Sequence, residues 1–183
     1  DSDIASQVTG HYAVRVRLAA TQDIPLVGRV TSGASLYNVA DIVAEGDGLV
    51  LKESGCHFAY EGGSSPLKIS IDKKVIRSSL AVTNPLKVWE DAGTIHFEKD
   101  FSTVVVGAVL KDKDLDALPT NANDPRLVDV DHDGNPGATA SASSGLLLKA
   151  QIYFVQRSRN NYLGTLAAPG VLSGLVDDKT EQS

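Results

Sequence analysis

The run Tyr12-Ala13-Val14-Arg15-Val16-Arg17-Leu18 alternates without a break. In an extended chain successive side chains point to opposite faces, so Tyr12, Val14, Val16 and Leu18 share one surface and Ala13, Arg15 and Arg17 the other. An apolar face backed by a charged one is the pattern of a half-buried strand. The same extended, apolar character recurs outward from this run, at 26–31 behind Pro25, 36–44, 49–60, 68–71, 86–89, 94–98, 146–156, 162–166 and 171–176. Residues 104–110 are continuously apolar and read as a strand covered on both sides. Glu45-Gly46-Asp47-Gly48 supplies a tight reversal between two of these runs. Glu61-Gly62-Gly63-Ser64-Ser65-Pro66 reads as a loop and Thr83-Asn84-Pro85 as a break in the chain. Only 72–80 suggests a helix, with Asp72 as its cap and Val75, Ile76 and Leu80 facing inward.

About ten short strands with little helix specify an all-β fold, an antiparallel barrel or sandwich, with one long acidic loop. A barrel is preferred, because closure removes exposed edges. The expected organisation is one β domain over 1–176 and a polar tail, 177–183, that frays. The chain has 183 residues, 42% hydrophobic and 22% charged, which suits a single folded domain with a core. Its net charge of −6 argues against a nucleic-acid partner, which calls for a basic face. No apolar run is long enough for a membrane-spanning helix.

There is no Met at all, and the sequence begins at Asp1. Loss of an N-terminal segment is therefore expected, a secretory signal peptide being the simplest candidate. The expected location is secreted, periplasmic or at the cell surface. Cys56 is the sole cysteine and excludes an internal disulfide. Inside an apparent strand it reads as a buried thiol, the alternative for a leftover cysteine in an exported protein being an intermolecular bond.

The residues 111–137 break the pattern. Asp112, Asp114 and Asp116 are followed by a polar, proline-bearing stretch, long for a plain connection and of the size that carries function. Within it stands Asp129-Val130-Asp131-His132-Asp133-Gly134-Asn135-Pro136-Gly137. Carboxylates at positions 1, 3 and 5 and glycine at position 6 suit an oxygen cage for Ca²⁺, a hard cation that takes six to eight oxygen ligands. Asp129, Asp131 and Asp133 are the candidate ligands, with the Asn135 backbone oxygen and a further ligand from Asp124, Asp116 or Asp177. The expected cofactor is one Ca²⁺ with a structural role, pinning 111–137 against the sheet.

This loop resembles the Asp-x-Asp-x-Asp-Gly loops of EF-hands, dockerins and thrombospondin type 3 repeats. It departs from the EF-hand at position 12, where Ala140 replaces Glu, and in its flanks, which are not helical in pattern. More broadly, the Tyr-x-Val-Arg-x-Arg strand, this loop and Tyr153-Phe154-Val155-Gln156-Arg157 together resemble exported bacterial β-proteins with a calcium-type loop, a resemblance that implies no activity.

The Arg15/Arg17 and Arg157/Arg159 pairs would form an anion site if their strands were neighbours. His11, His57, His96 and His132 show no metal-ligand spacing. No nucleophile elbow, phosphate loop or dinucleotide fingerprint is present. The leading expectation is an exported, calcium-stabilised structural or interaction domain, such as a subunit of a surface assembly, partnered by itself or another exported protein. The alternatives are a barrel that binds a small apolar ligand, and a hydrolase or isomerase whose site is assembled from distant strands.

Overall fold

The computed structural model describes residues 2–24, 28–61, 68–79, 82–144 and 148–183. Seven strands form one antiparallel sheet in the order β1 (Gly10–Ile24), β2 (Gly28–Glu45), β3 (Gly48–Tyr60), β5 (Val82–Asp91), β6 (Thr94–Val106), β9 (Gln156–Ala168) and β10 (Val171–Gln182). This sheet is nearly closed into a barrel. A smaller sheet, β4 (Lys68–Ile71), β7 (Ala138–Ser144) and β8 (Leu148–Phe154), lies apart from it. Two short helices, α1 (Ser2–Val8) and α2 (Lys73–Ser79), complete the described elements.

The all-β expectation holds, as does the hairpin at Gly46, where Glu45 pairs with Gly48. The strands, however, are long. The runs 36–44 and 28–31 belong to one strand of 18 residues, because β1 pairs with β2 along its whole length. Likewise 94–98 and 104–106 are one strand, kept in the sheet by β9, and the strand ends before Gly107. Thr83-Asn84-Pro85 does not break the chain. It lies in β5, whose residues 82–86 pair with β3 while 87–91 pair with β6. Pro85 therefore sits where only one side of the strand carries a ladder, the kind of position at which a missing N–H is tolerated. The tail expected to fray is the second half of β10, held by register from Asp177–Asn161 to Gln182–Gln156 and by reciprocal backbone bonds of 3.0 Å between Val155 and Ser183. Pro25 and Leu26, the 62–67 loop, Leu80 and the start of 146–156 lie outside the described residues.

Cys56 is exposed, not buried. The pairing of β2 and β3 slips between Tyr37 and Asn38, so that Tyr37 faces His57 and Asn38 faces Gly55. Cys56 is the extra residue of this bulge and loses its place in the alternation.

The barrel core is Val8, Ala40, Ile42, Leu49, Leu51, Leu86 and Ile95, with Tyr12, Val14, Phe97, Tyr162 and Leu172 packed against it. These come from both ends of the strand order, so the sheet curls until β1 and β10 share one interior. Helix α1, which period-two reasoning did not reveal, contributes Val8 to this core, and the Val8 carbonyl accepts the Tyr12 hydroxyl at 2.7 Å. Outside the barrel, α2 is capped as expected, with the Lys74 N–H donating to Asp72 Oδ1 at 2.7 Å. Its Val75 packs with Val106 and Ala138, and with Ile71, Val130 and Phe154. Val130 belongs to the acidic loop, so this second core holds the loop between α2 and the smaller sheet.

Candidate functional site

The acidic residues of 107–137 fall into two groups. The first builds the chain's own turns. Asp112 Oδ1 accepts the N–H groups of Asp114 and Leu115, and Asp116 Oδ2 those of Lys111 and Asp112. Asp114 accepts the Thr103 hydroxyl. Asp124 is gripped by Arg126 through Nε at 3.0 Å and an NH2 nitrogen at 2.7 Å, and the guanidinium holds its carboxyl well below the usual range, at about 2. These carboxylates take over backbone donors that a packed loop cannot leave to water.

The second group is Asp129, Asp131 and Asp133, which offer ligand atoms all within 4.8 Å of one another. Local backbone chemistry creates this convergence. The two Asp129 oxygens accept the N–H groups of Asp133 at 3.2 Å and Gly134 at 2.9 Å, curling the chain back on itself. Gly134 has φ +91°, which a Cβ would resist, and His132 sits at φ +58° beside it. Asp133 accepts the Asn135 N–H at 2.8 Å and the Thr139 hydroxyl at 2.7 Å. The base of the loop is sewn shut by Val130 N–H to the Gly137 carbonyl and Gly137 N–H to the Val128 carbonyl, at 3.2 and 3.1 Å.

Asp131 is the centre of the cluster. It is only 4% exposed, Oδ2 accepts the Thr139 N–H at 3.0 Å, and Lys74 reaches in to donate to its backbone oxygen at 2.8 Å. Oδ1 is buried with no hydrogen-bond partner. A buried carboxylate oxygen without a donor is costly, because it forgoes water and gets nothing in exchange. Burial, aided by the neighbouring carboxylates, pushes the Asp131 carboxyl up. Hydrogen bonds hold its neighbours down, from the Gly134 N–H for Asp129 and from Thr139 for Asp133. The cluster is thus one of oxygen donors with an orphan acceptor at its middle, and a metal ion fits it. A polar hollow of about 300 Å³, lined by Lys74, Thr139, Ser141 and Gln151 among others, opens onto Asp131 and Asp133 and gives an ion a path from solvent.

The three aspartates expected from the sequence are therefore brought together, with Asn135 in the same turn. The outside ligand is a correction. Asp124 and Asp116 are spent on Arg126 and on backbone, and Asp177 lies in β10 opposite Asn161. The arginine pairs do not form one anion site either. Arg15 pairs with Glu61 at 3.3 Å on β1's outer face, and Arg157 pairs with Glu181 at 2.5 Å on β9, a strand that is not β1's neighbour.

A second polar cluster, inside the barrel, was missed. Glu53 and Lys99 are 3% and 1% exposed. Lys99 Nζ donates to Ser102 Oγ at 2.8 Å and to the side-chain and backbone oxygens of Asn160 at 2.5 and 3.1 Å, and stands 4.4 Å above the Tyr162 ring. The Tyr162 hydroxyl donates to Glu53 Oε1 at 3.2 Å. Burial pushes the Glu53 carboxyl up, against the opposing pull of Lys99, and pushes the Lys99 amine down. The available signal was parity: Leu49-x-Leu51-x-Glu53 and Ile95-x-Phe97-x-Lys99 each end an inward-facing series on a charge.

No protein-family model, curated protein or solved structure matches this chain.

Proposed function

We propose that this protein is an exported, calcium-stabilised β-barrel domain with a structural or interaction role, such as a subunit of a surface assembly. The observation that carries the reading is the Asp131 Oδ1 atom, buried and without a donor between two further carboxylates. An all-oxygen set with adaptable turn geometry suits Ca²⁺ better than a transition metal, which would favour imidazole or thiolate. The ion's task is structural. The loop's ties run to the second core, to Lys74 of α2 and to β7 through Thr139, so filling the cluster stiffens the junction of all three. An interaction role is supported by the outer face of β9 and β10, where Leu163 and Leu175 pair and Leu175 is 79% exposed.

Calorimetric titration tests the reading. It should give one Ca²⁺ per chain, with Mg²⁺ binding more weakly because it demands a rigid octahedron. Asp131→Asn should remove the binding while circular dichroism stays that of a β protein. A wild-type chain that binds no Ca²⁺, or an Asp131→Asn variant that binds it as well as wild type, overturns the proposal.

A further inference from the structure

The seven-stranded sheet reverses direction at each of its six interfaces, so its two edges, β1 and β10, run parallel to each other. Between them the barrel wall stands open over a cavity of about 660 Å³. That volume lies within the range of sites that take small organic ligands. Both edges line the mouth, through Val14 on one side and Leu172 and Gly174 on the other, while Leu51, Phe97, Glu53 and Tyr162 lie deeper. Much of the depth comes from two glycines that face each other across β9 and β10. A Cβ on Gly164 would stand 2.6 Å from the Phe97 ring, and one on Gly174 would stand 2.8 Å from the Gly164 Cα. With no side chain at either position, Phe97 lies against bare backbone and leaves the lumen free.

The polar end of this cavity has a definite sign. An ammonium group has three protons, and those of Lys99 are all committed, to Ser102 and twice to Asn160. The Tyr162 proton is committed to Glu53. What remains are acceptors. Glu53 keeps lone pairs beyond those that the Tyr162 hydroxyl and the Asn38 amide take, and Asn38 Oδ1, on the same inward face of β2, is buried with no partner. Asp178 adds a second carboxylate acting on both Lys99 and Tyr162. At this inner end no donor is left to receive an anion; the other cations that line the cavity, Arg15 and Arg17, stand on the opposite parity of β1 at its edge, where Arg15 is committed to Ser35 and Glu61.

We propose that the barrel interior is a binding site for a small amphipathic amine, whose apolar body fills the lumen between β1 and β10 and whose ammonium group docks on Glu53. The site is separate from the acidic loop, and calcium need not be bound for it to exist. A length-matched series isolates the head group. Octylamine, 1-octanol and octanoate, titrated calorimetrically into the full chain at neutral pH, should rank in that order, with octylamine binding one per chain and about tenfold or more tighter than octanoate. Glu53→Gln should cost octylamine about tenfold and leave octanol nearly unchanged. Leu172→Trp fills the mouth without touching Glu53 and should abolish binding of all three while Ca²⁺ binding persists. If Glu53→Gln does not fold, the head-group ranking and Leu172→Trp decide the question. No one-to-one binding by the folded wild type, octanoate binding as tightly as octylamine, or octylamine binding unaffected by Leu172→Trp overturns the proposal.

Discussion

Saturation with Ca²⁺ should raise the melting temperature of this protein by about 5–11 °C, and Asp131→Asn should erase the rise. An ion held at about 100 times its dissociation constant stabilises the folded state by about 2.7 kcal/mol if the unfolded chain does not bind it. For a chain of this size each kcal/mol moves the midpoint by about 2–4 °C. The more telling expectation is the sign of the substitution in chelator. There, Asp131 Oδ1 is a buried acceptor with no donor, close to two other carboxylates. Asparagine keeps the oxygen that receives the Thr139 N–H and replaces the orphan with a donor. Asp131→Asn should therefore match or exceed wild-type stability without calcium and fall below it with calcium. Parallel melting scans with calcium and with chelator check both halves. A variant destabilised equally in the two conditions would show that the carboxylate serves packing alone.

Lys99→Met should cost about 3–5 kcal/mol at neutral pH, because it leaves Glu53 as a buried charge without its countercharge. The lost Lys99 bonds also strand the Asn160 acceptors. The pH dependence identifies the cause. Burial already raises the folded-state pKa of Glu53 above its ordinary 4.5. A raised carboxyl favours the folded state while protonated, and that contribution is lost as pH rises through the folded pKa. Removing Lys99 raises this pKa further, so the destabilisation should be small near pH 4.5, where Glu53 keeps its proton, and grow toward neutral pH. Urea titrations of wild type and Lys99→Met across this window measure it, and Lys99→Met with Glu53→Gln should recover part of the loss. A deficit independent of pH would attribute it to packing of the lysine stem against Tyr162.

The fold was legible because its signal is local. Tyr12 to Leu18 alternates in the sequence as it does in β1, and the hairpin at Gly46 carries its own turn chemistry. Strand length was not legible, since it is decided by the partner: 28–31 is extended because β1 continues beside it, and 177–182 because β9 does. The exposure of Cys56 follows from a register slip against β2 that no pattern within β3 announces. The acidic loop was read for the same reason as the hairpin, since Asp129 curls its own chain through Gly134. The barrel's charged cluster was half legible. Parity places Glu53 and Lys99 inward, but their approach to Tyr162 depends on β5 standing between β3 and β6 and on β9 closing against β6.

The neighbours β6 and β9 hold one more consequence, for the order of events in time. His96 pairs with Thr165, yet residues 107–155, with the acidic loop and two strands of the smaller sheet, lie between these strands along the chain. The β1–β2–β3 meander and the β5–β6 hairpin close over short connections, and such hairpins form in about 1–10 μs. Joining β6 to β9 must instead bring together ends separated by the whole insertion, at a larger entropic cost. The slow step of folding should then be the collapse of 107–155, and a cation that gathered Asp129, Asp131 and Asp133 would shorten the excursion before the sheet can close. Stopped-flow refolding should be faster in calcium than in chelator. A change confined to the unfolding rate would place the loop's ordering after that step.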